Sequence, residues 1–136
     1  MDETVIRYYR GLLSAGFENA GSFDNPSIFL DPVGEGIPFC GHPSGYMRIY
    51  ISVSNDRISD IKYLCNCDPT ENVAVEVLCG LVKGRTLEEV AATTESSFSQ
   101  VVGGRSKELR KKAKRLLELL DRGLTRYRAE VREGRS

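Results

Sequence analysis

Cysteines are the residues of this chain whose types and spacing could most readily do chemistry. Cys65 and Cys67 lie two residues apart, directly before Asp68. Cys40 and His42 are also two residues apart, in a segment rich in Gly and Pro. Thiolate and imidazole are ligands that suit zinc and iron–sulfur clusters, and a carboxylate can complete either set. These five residues are therefore candidate ligands of a metal or of an iron–sulfur cluster.

Composition decides how these thiols are interpreted. The chain has 136 residues, of which 40% are apolar and 28% charged, as in an ordinary globular domain. Lys plus Arg equals Asp plus Glu, so no global charge favours nucleic acid or a membrane surface. The sequence contains neither a signal-peptide pattern nor an apolar run of the roughly 20 residues that span a membrane. We expect a cytoplasmic protein, in which clustered thiols are more often ligands, redox groups or core residues than disulfides.

A predicted β-hairpin brings the candidate ligands together. Apolar and polar residues alternate over 46–53, residues 54–56 are typical of a turn, and a second strand runs from Arg57 to about Leu64. The two strands are antiparallel, so the segment before the first lies beside the segment after the second. The base of the hairpin should therefore collect all five candidates: Cys40, His42, Cys65, Cys67 and Asp68.

Helices are predicted from capping residues and apolar spacing. The predicted helices begin after Asp2, Asp68, Thr86 and Ser106. The first should end at Gly16, and the second is marked by Pro69 at its first position and by Glu71 three residues beyond its cap. Residues 17–45 and 94–104 show no clean period, and we expect irregular structure there.

Four segments carry a family resemblance. GSFDNP at 21–26 is followed by PFCG at 38–41, ISDIKYLCNCD at 58–68 and LVKGRTLEE at 81–89. This order resembles the IscU/NifU/SufU family of iron–sulfur cluster assembly proteins, over roughly residues 2–125. The resemblance implies an α+β fold: a compact single domain of residues 1–136, with an antiparallel β-sheet packed against helices and a long C-terminal helix. We expect residues 126–136 to be a charged, frayed tail.

The resemblance also implies a function. Family members are scaffolds that accept sulfur from a cysteine desulfurase, assemble a 2Fe–2S cluster and pass it to recipient apo-proteins, without catalytic turnover of their own. Some members instead carry zinc and relay sulfur. The family site has three cysteines, with an aspartate two residues after the first of them. The resemblance therefore implies that Cys40 and Cys67 are ligands of a cluster, the match at Cys67 requiring a loop shift of one residue.

Only Cys40 matches the family pattern without adjustment, and the sequence departs from the pattern beyond the shift at Cys67. His42 stands where the family has aspartate, Cys65 is additional, and Leu109 stands near the place of the third family cysteine. We hypothesise a rewired site, in which three thiolates ligate the cargo and His42 or Asp68 is the fourth ligand. Cys67 is the first candidate for persulfide acceptor, since it adjoins a helix start, and Cys65 is the second.

Other interpretations stay open at this point. A closed zinc site would make the chain a structural zinc module. Cys65-Asn66-Cys67 could instead serve thiol–disulfide redox chemistry. Cys79, inside an apolar-faced helix, is interpreted as a core residue. Apolar positions late in the last helix could pair with a second copy of the chain: Leu120, Leu124, Tyr127 and Val131.

Overall fold

The computed structural model describes residues 2–37, 39–40 and 44–134. Its elements, in chain order, are α1 (Glu3–Ala15), β1 (Ile28–Leu30), β2 (Tyr46–Ser54), β3 (Arg57–Asn66), α2 (Pro69–Val82), α3 (Leu87–Ala91), α4 (Glu95–Val102) and α5 (Lys107–Arg132). The strands form one antiparallel sheet in the order β1-β2-β3. This is the α+β architecture, with a long C-terminal helix, that the sequence predicts.

The hairpin of β2 and β3 is confirmed. Asn55 and Asp56 have φ angles of 52° and 60°, the left-handed conformation that a tight two-residue turn between antiparallel strands requires. The register pairs Ile51 with Ile61 and Met47 with Cys65. β3 extends two residues further than predicted, to Asn66, which lies opposite Tyr46. The ends of the hairpin therefore bring the segment after β3 directly beside the segment before β2.

Strand β1 corrects the expectation that residues 17–45 are irregular. Ile28 pairs with Ile51 and Leu30 with Ile49, so β1 forms an edge of the sheet. A strand of three residues is too short to display a period of two, which is why the sequence does not reveal it. β1 lies against α5 at Gly123, where an added Cβ would stand 2.6 Å from Leu30 Cδ2. The missing side chain of Gly123 permits this close approach.

Helix α4 corrects the second expected loop, residues 94–104. Phe98 is fully buried and Val102 nearly so, and Gly103 ends the helix in the left-handed conformation. Three serines in eight residues give a weak helix propensity, and two buried anchors are too few to establish a helical period. Burial of Phe98 against the other helices, rather than local preference, therefore accounts for α4.

Helix α1 agrees with its prediction at both ends. The Asp2 carboxylate accepts hydrogen bonds from the backbone N–H groups of Thr4 and Val5, and the chain turns away at Gly16. The spacing of Val5, Ile6, Tyr9, Leu12 and Leu13 also predicts one apolar face, and this is wrong at Leu13, which is 59% exposed. Helix α3 also begins as predicted, with a capping box formed by Thr86 and Glu89.

The buried centre of the domain is α2, which packs on α1, α5 and β3. Cys79 is fully buried within it, as expected of a core residue. The start of α2 differs from the prediction in one respect. Asp68 occupies the cap position but makes no side-chain capping bond, and Glu71 is buried instead of completing a capping box.

Helix α5 begins at the predicted cap, where Ser106 Oγ accepts a hydrogen bond from the Leu109 N–H. Of the four residues that could pair with a second copy of the chain, Leu120 and Leu124 are buried in the core of the same chain. Val131 is exposed. The helix continues to Arg132, and the fraying of residues 126–136 stays a prediction. No described helix is long and apolar enough to cross a membrane.

Candidate functional site

The base of the hairpin joins two of the candidate cysteines. Cys40 and Cys67 are 27 residues apart in the sequence and form a disulfide, with their Cα atoms 5.3 Å apart. Cys67 directly follows β3 and directly precedes the cap of α2, and its Sγ lies 3.4 Å from the Tyr46 carbonyl oxygen. The antiparallel register thus delivers Cys67 to the segment that contains Cys40, at the junction between a strand and a helix.

Cys65 lies beside this pair but faces inward. It has the same parity in β3 as the buried Tyr63, and it lines a pocket of about 290 Å³ together with Tyr9, Phe17 and Tyr46. Burial raises the pKa of the Cys65 thiol to about 12, the backbone N–H of Cys67 opposes that rise, and the charge of Glu71 adds to it. Cys65, two residues before Cys67, therefore keeps its proton at neutral pH.

The two remaining candidates are His42 and Asp68. His42 is outside the described residues. Asp68 is exposed at the start of α2. Within residues 2–37, 39–40 and 44–134, no three side chains of His, Cys, Asp or Glu are grouped so that they could hold a metal ion. Two of the predicted ligands are bonded to each other, so a ligand role for Cys40 and Cys67 requires that their disulfide be reduced.

Lys112 is a residue of this site that the sequence reasoning missed. Its Nζ lies 3.8 Å from Glu71 Oε1, donates a hydrogen bond to the Phe39 carbonyl oxygen and sits 5.2 Å from the centroid of the Phe39 ring. Phe39 directly precedes Cys40, so Lys112 ties the segment of Cys40 to the first turn of α2. The sequence does indicate that Lys112 is close to the core, because it lies one helical turn from Leu109, on the border of the buried face.

The similarity of this chain to known proteins is structural. No protein-family model matches the chain, and no curated protein matches it. The N-terminal part of a nitrogen-fixing NifU-like protein from Brucella abortus does match in structure, with a TM-score of 0.51 and 12% identity. The match covers 86% of this chain and 77% of that one. The chain has a NifU-like fold.

A second solved structure, described as a hypothetical protein, matches over 85% of this chain and 83% of its own, with a TM-score of 0.49 and 18% identity. The NifU-like fold confirms, as architecture, the family resemblance that the four sequence segments suggest. At 12% identity the likeness concerns the fold alone, and function has to be argued from the site.

Proposed function

We propose that this chain is an iron–sulfur cluster assembly scaffold, which carries the cluster as cargo on Cys40 and Cys67 with Cys65 beside them. The observation that carries the proposal is the meeting of Cys40 and Cys67, 27 residues apart, at a strand–helix junction of a NifU-like fold. The solved neighbour is itself described as a NifU-like protein of nitrogen fixation, which supports the same assignment. Under this proposal the chain performs no catalytic turnover of its own.

The donor chemistry fits iron–sulfur cargo once the disulfide is opened. A dithiol reductant would supply two electrons and two protons, be oxidised to its own disulfide and leave Cys40 and Cys67 as thiols. Thiolates are the usual ligands of iron in such clusters. Cys65 is the third sulfur of the set, and the fourth ligand is His42 or Asp68. A 2Fe–2S cluster is the cargo we favour.

Sulfur would reach the site by persulfide transfer from a cysteine desulfurase. A scaffold thiolate attacks the terminal sulfur of the donor persulfide, a new sulfur–sulfur bond forms and the donor cysteine leaves as a thiolate. Cys67 is the acceptor we favour, because it adjoins the N-terminus of α2, where a developing negative charge is stabilised. Cys65 is the second choice, since it faces the inner pocket. The assembled cluster would then pass to recipient apo-proteins.

Reconstitution tests the proposal directly. The reduced chain is mixed anaerobically with ferrous iron and sulfide, desalted, and analysed by its visible spectrum and by its iron and sulfide content. We expect a coloured protein with iron and sulfide in equal amounts. Cys40→Ser and Cys67→Ser should lose most of this cargo, whereas Cys79→Ser, which changes a fully buried thiol of the core, should retain it. Equal loading of all the variants would refute the assignment of ligands.

Metal analysis of the same samples separates the zinc alternatives. A zinc-dependent sulfur relay should purify with zinc and no sulfide. A structural zinc module should also unfold when a chelator removes the metal, because its binding energy is folding energy. A scaffold that carries cargo should keep its melting temperature, since the core of the described residues is built from apolar side chains.

The disulfide itself favours a second candidate function, thiol–disulfide exchange. The pair involved is Cys40 with Cys67, and not Cys65 with Cys67 as the spacing of residues 65–67 suggested. Exchange would begin with attack of an external thiolate on one sulfur of this disulfide, which releases the other cysteine as a thiolate. A redox titration of the protein with glutathione would show a reversible two-electron step if this function is correct, and cargo loading should then be absent.

A further inference from the structure

A cleft away from the cysteine corner has a buried carboxylate in its wall. The cleft has a volume of about 660 Å³ and lies between α1, α2 and α4, and residues 16–19 also line it. Its wall includes Leu12, Leu81 and Val101, which are apolar, and Glu76, which is only 7% exposed. Pockets of this size, mostly apolar and with a few convergent polar groups, are typical of small-molecule sites.

Glu76 is satisfied by neutral donors alone. Its Oε2 accepts a hydrogen bond of 2.6 Å from Asn19 Nδ2, and its Oε1 accepts bonds from the Tyr63 hydroxyl at 2.9 Å and from the Asn19 backbone N–H at 3.3 Å. None of the ion pairs among the described residues involves Glu76. A carboxylate offers about four acceptor positions, so one is available to a further donor.

The charges around the cleft favour a positively charged ligand. Helix α1 ends at the cleft with Ala15 and Gly16, so the negative end of its dipole points there. The lining residues in the described part of the chain include a second acid, Glu18, and no Lys, Arg or His. Burial, and then the charge of Glu76, raise the pKa of the Tyr8 phenol, which therefore stays neutral and able to donate a hydrogen bond.

Gly80 keeps the cleft open. It lies within α2 and lines the cleft, and an added Cβ would meet no atom within 4 Å. Glycine inside a helix is unfavourable by about 0.5–1 kcal/mol relative to alanine. Neither backbone conformation nor packing requires glycine at this position, so the consequence of its missing side chain is open space beside Glu76.

We propose that this cleft is a binding site for a small organic amine. The ligand ammonium donates a charge-assisted hydrogen bond to the Glu76 carboxylate, and its apolar body packs on Leu12, Leu81 and Val101. Such a ligand supplies the positive charge that a buried carboxylate otherwise lacks. The inference does not depend on the proposed scaffold function, since none of the candidate cysteines lines this cleft.

Three probes of similar shape and different charge test the site. Phenethylamine is cationic, phenethyl alcohol is neutral and hydrocinnamate is anionic. Each is titrated into isotope-labelled protein and followed by the amide resonances. We expect phenethylamine to move the resonances of Asn19, Glu76 and Gly80, and to bind at least about tenfold more tightly than the alcohol. Similar affinities for all three probes, or no shifts at these residues, would overturn the proposal.

Two variants locate the binding. Glu76→Gln removes the charge and should reduce the preference for the amine over the alcohol by about tenfold, whereas Glu88→Gln on the exposed surface of α3 should not change it. Gly80→Leu leaves Glu76 intact, fills the cleft and should abolish binding of the amine. It provides the decisive comparison if Glu76→Gln does not fold. Unchanged phenethylamine binding in folded Gly80→Leu would contradict the site.

Discussion

Helix α2 carries two buried glutamates whose surroundings differ. Glu71 is 3% exposed and faces Lys112, whose Nζ lies 3.8 Å away. Glu76 is 7% exposed, faces only neutral donors and borders a cleft. Burial alone therefore does not determine the role of an acidic residue. A carboxylate whose charge is matched within the chain acts as a structural tie, whereas one whose charge is unmatched beside open space is a candidate binding group.

The largest effect should come from breaking the matched pair. Lys112→Met leaves Glu71 buried without its cation, and we expect the free energy of unfolding to fall by about 3 kcal/mol, measured by urea denaturation. Lys83→Met is the control, because Lys83 and Asp60 form an exposed pair whose loss should cost about 1 kcal/mol or less. Adding Glu71→Gln to Lys112→Met should restore much of the stability. Equal losses in the two lysine variants would show that Glu71 is not a structural tie.

Alkaline pH should lower the free energy of unfolding, because buried phenol and thiol groups on and beside α2 resist losing their protons. Burial, followed by the charge of Glu76, raises the pKa of Tyr63 above its ordinary value of 10.0 and that of Cys79 above 9.0. Cys65 is raised from 9.0 as well. The unfolded chain releases these protons first, so stability is fully present below pH 9 and falls as the pH rises above it.

The slope of that loss is measurable. Each such group contributes about 1.4 kcal/mol per pH unit between its unfolded and folded pKa values. Urea denaturation at pH 8, 9 and 10 should therefore show a progressive loss, and Cys79→Ala should reduce the loss between pH 9 and 10. A Cys79→Ala protein with the pH dependence of the parent would show that the Cys79 thiol does not contribute.

A ligand should stabilise the unmatched carboxylate. Phenethylamine at ten times its dissociation constant should raise the free energy of unfolding by about 1.4 kcal/mol, seen as a higher melting temperature. The increase should be much smaller in Glu76→Gln, whereas Lys112→Met should keep it, because Lys112 does not line the cleft. The same increase in Glu76→Gln would remove the contrast between the two glutamates.

The smallest effect concerns Gly80. Gly80→Ala should raise the free energy of unfolding by about 0.5–1 kcal/mol, because alanine is the better helix former and its Cβ enters open space. Gly11→Ala in α1, where an added Cβ also meets nothing, is the matched control with a similar gain. A loss of stability in Gly80→Ala alone would mean that Gly80 serves packing and not the openness of the cleft.

The sequence predicts the parts of the fold that have a strong local signal. The alternation over 46–53 and the turn at Asn55 and Asp56 determine the hairpin, and Ser106 marks the start of α5. The sequence does not predict the elements that depend on tertiary burial. β1 has three residues, and α4 is held by Phe98 and Val102. Neither is long enough to show a period.

The cysteine site and the cleft at Glu76 also differ in how far the sequence predicts them. The meeting of Cys40 with Cys67 follows from antiparallel pairing, so it could be anticipated from the sequence. The partners of Glu76 could not, because Asn19 lies 57 residues earlier and no local pattern connects the two positions. Lys112 lies between these cases, since its position on the helix is readable but its contact with Phe39 is not.

The central claim is that Cys40 and Cys67 hold iron–sulfur cargo when their disulfide is open. The most direct measurement is the iron and sulfide content of one anaerobic preparation, divided into an oxidised and a reduced half before reconstitution. We predict cargo in the reduced half, iron and sulfide being equal, and very little in the oxidised half. A reduced protein that takes up neither iron nor sulfide would contradict the account.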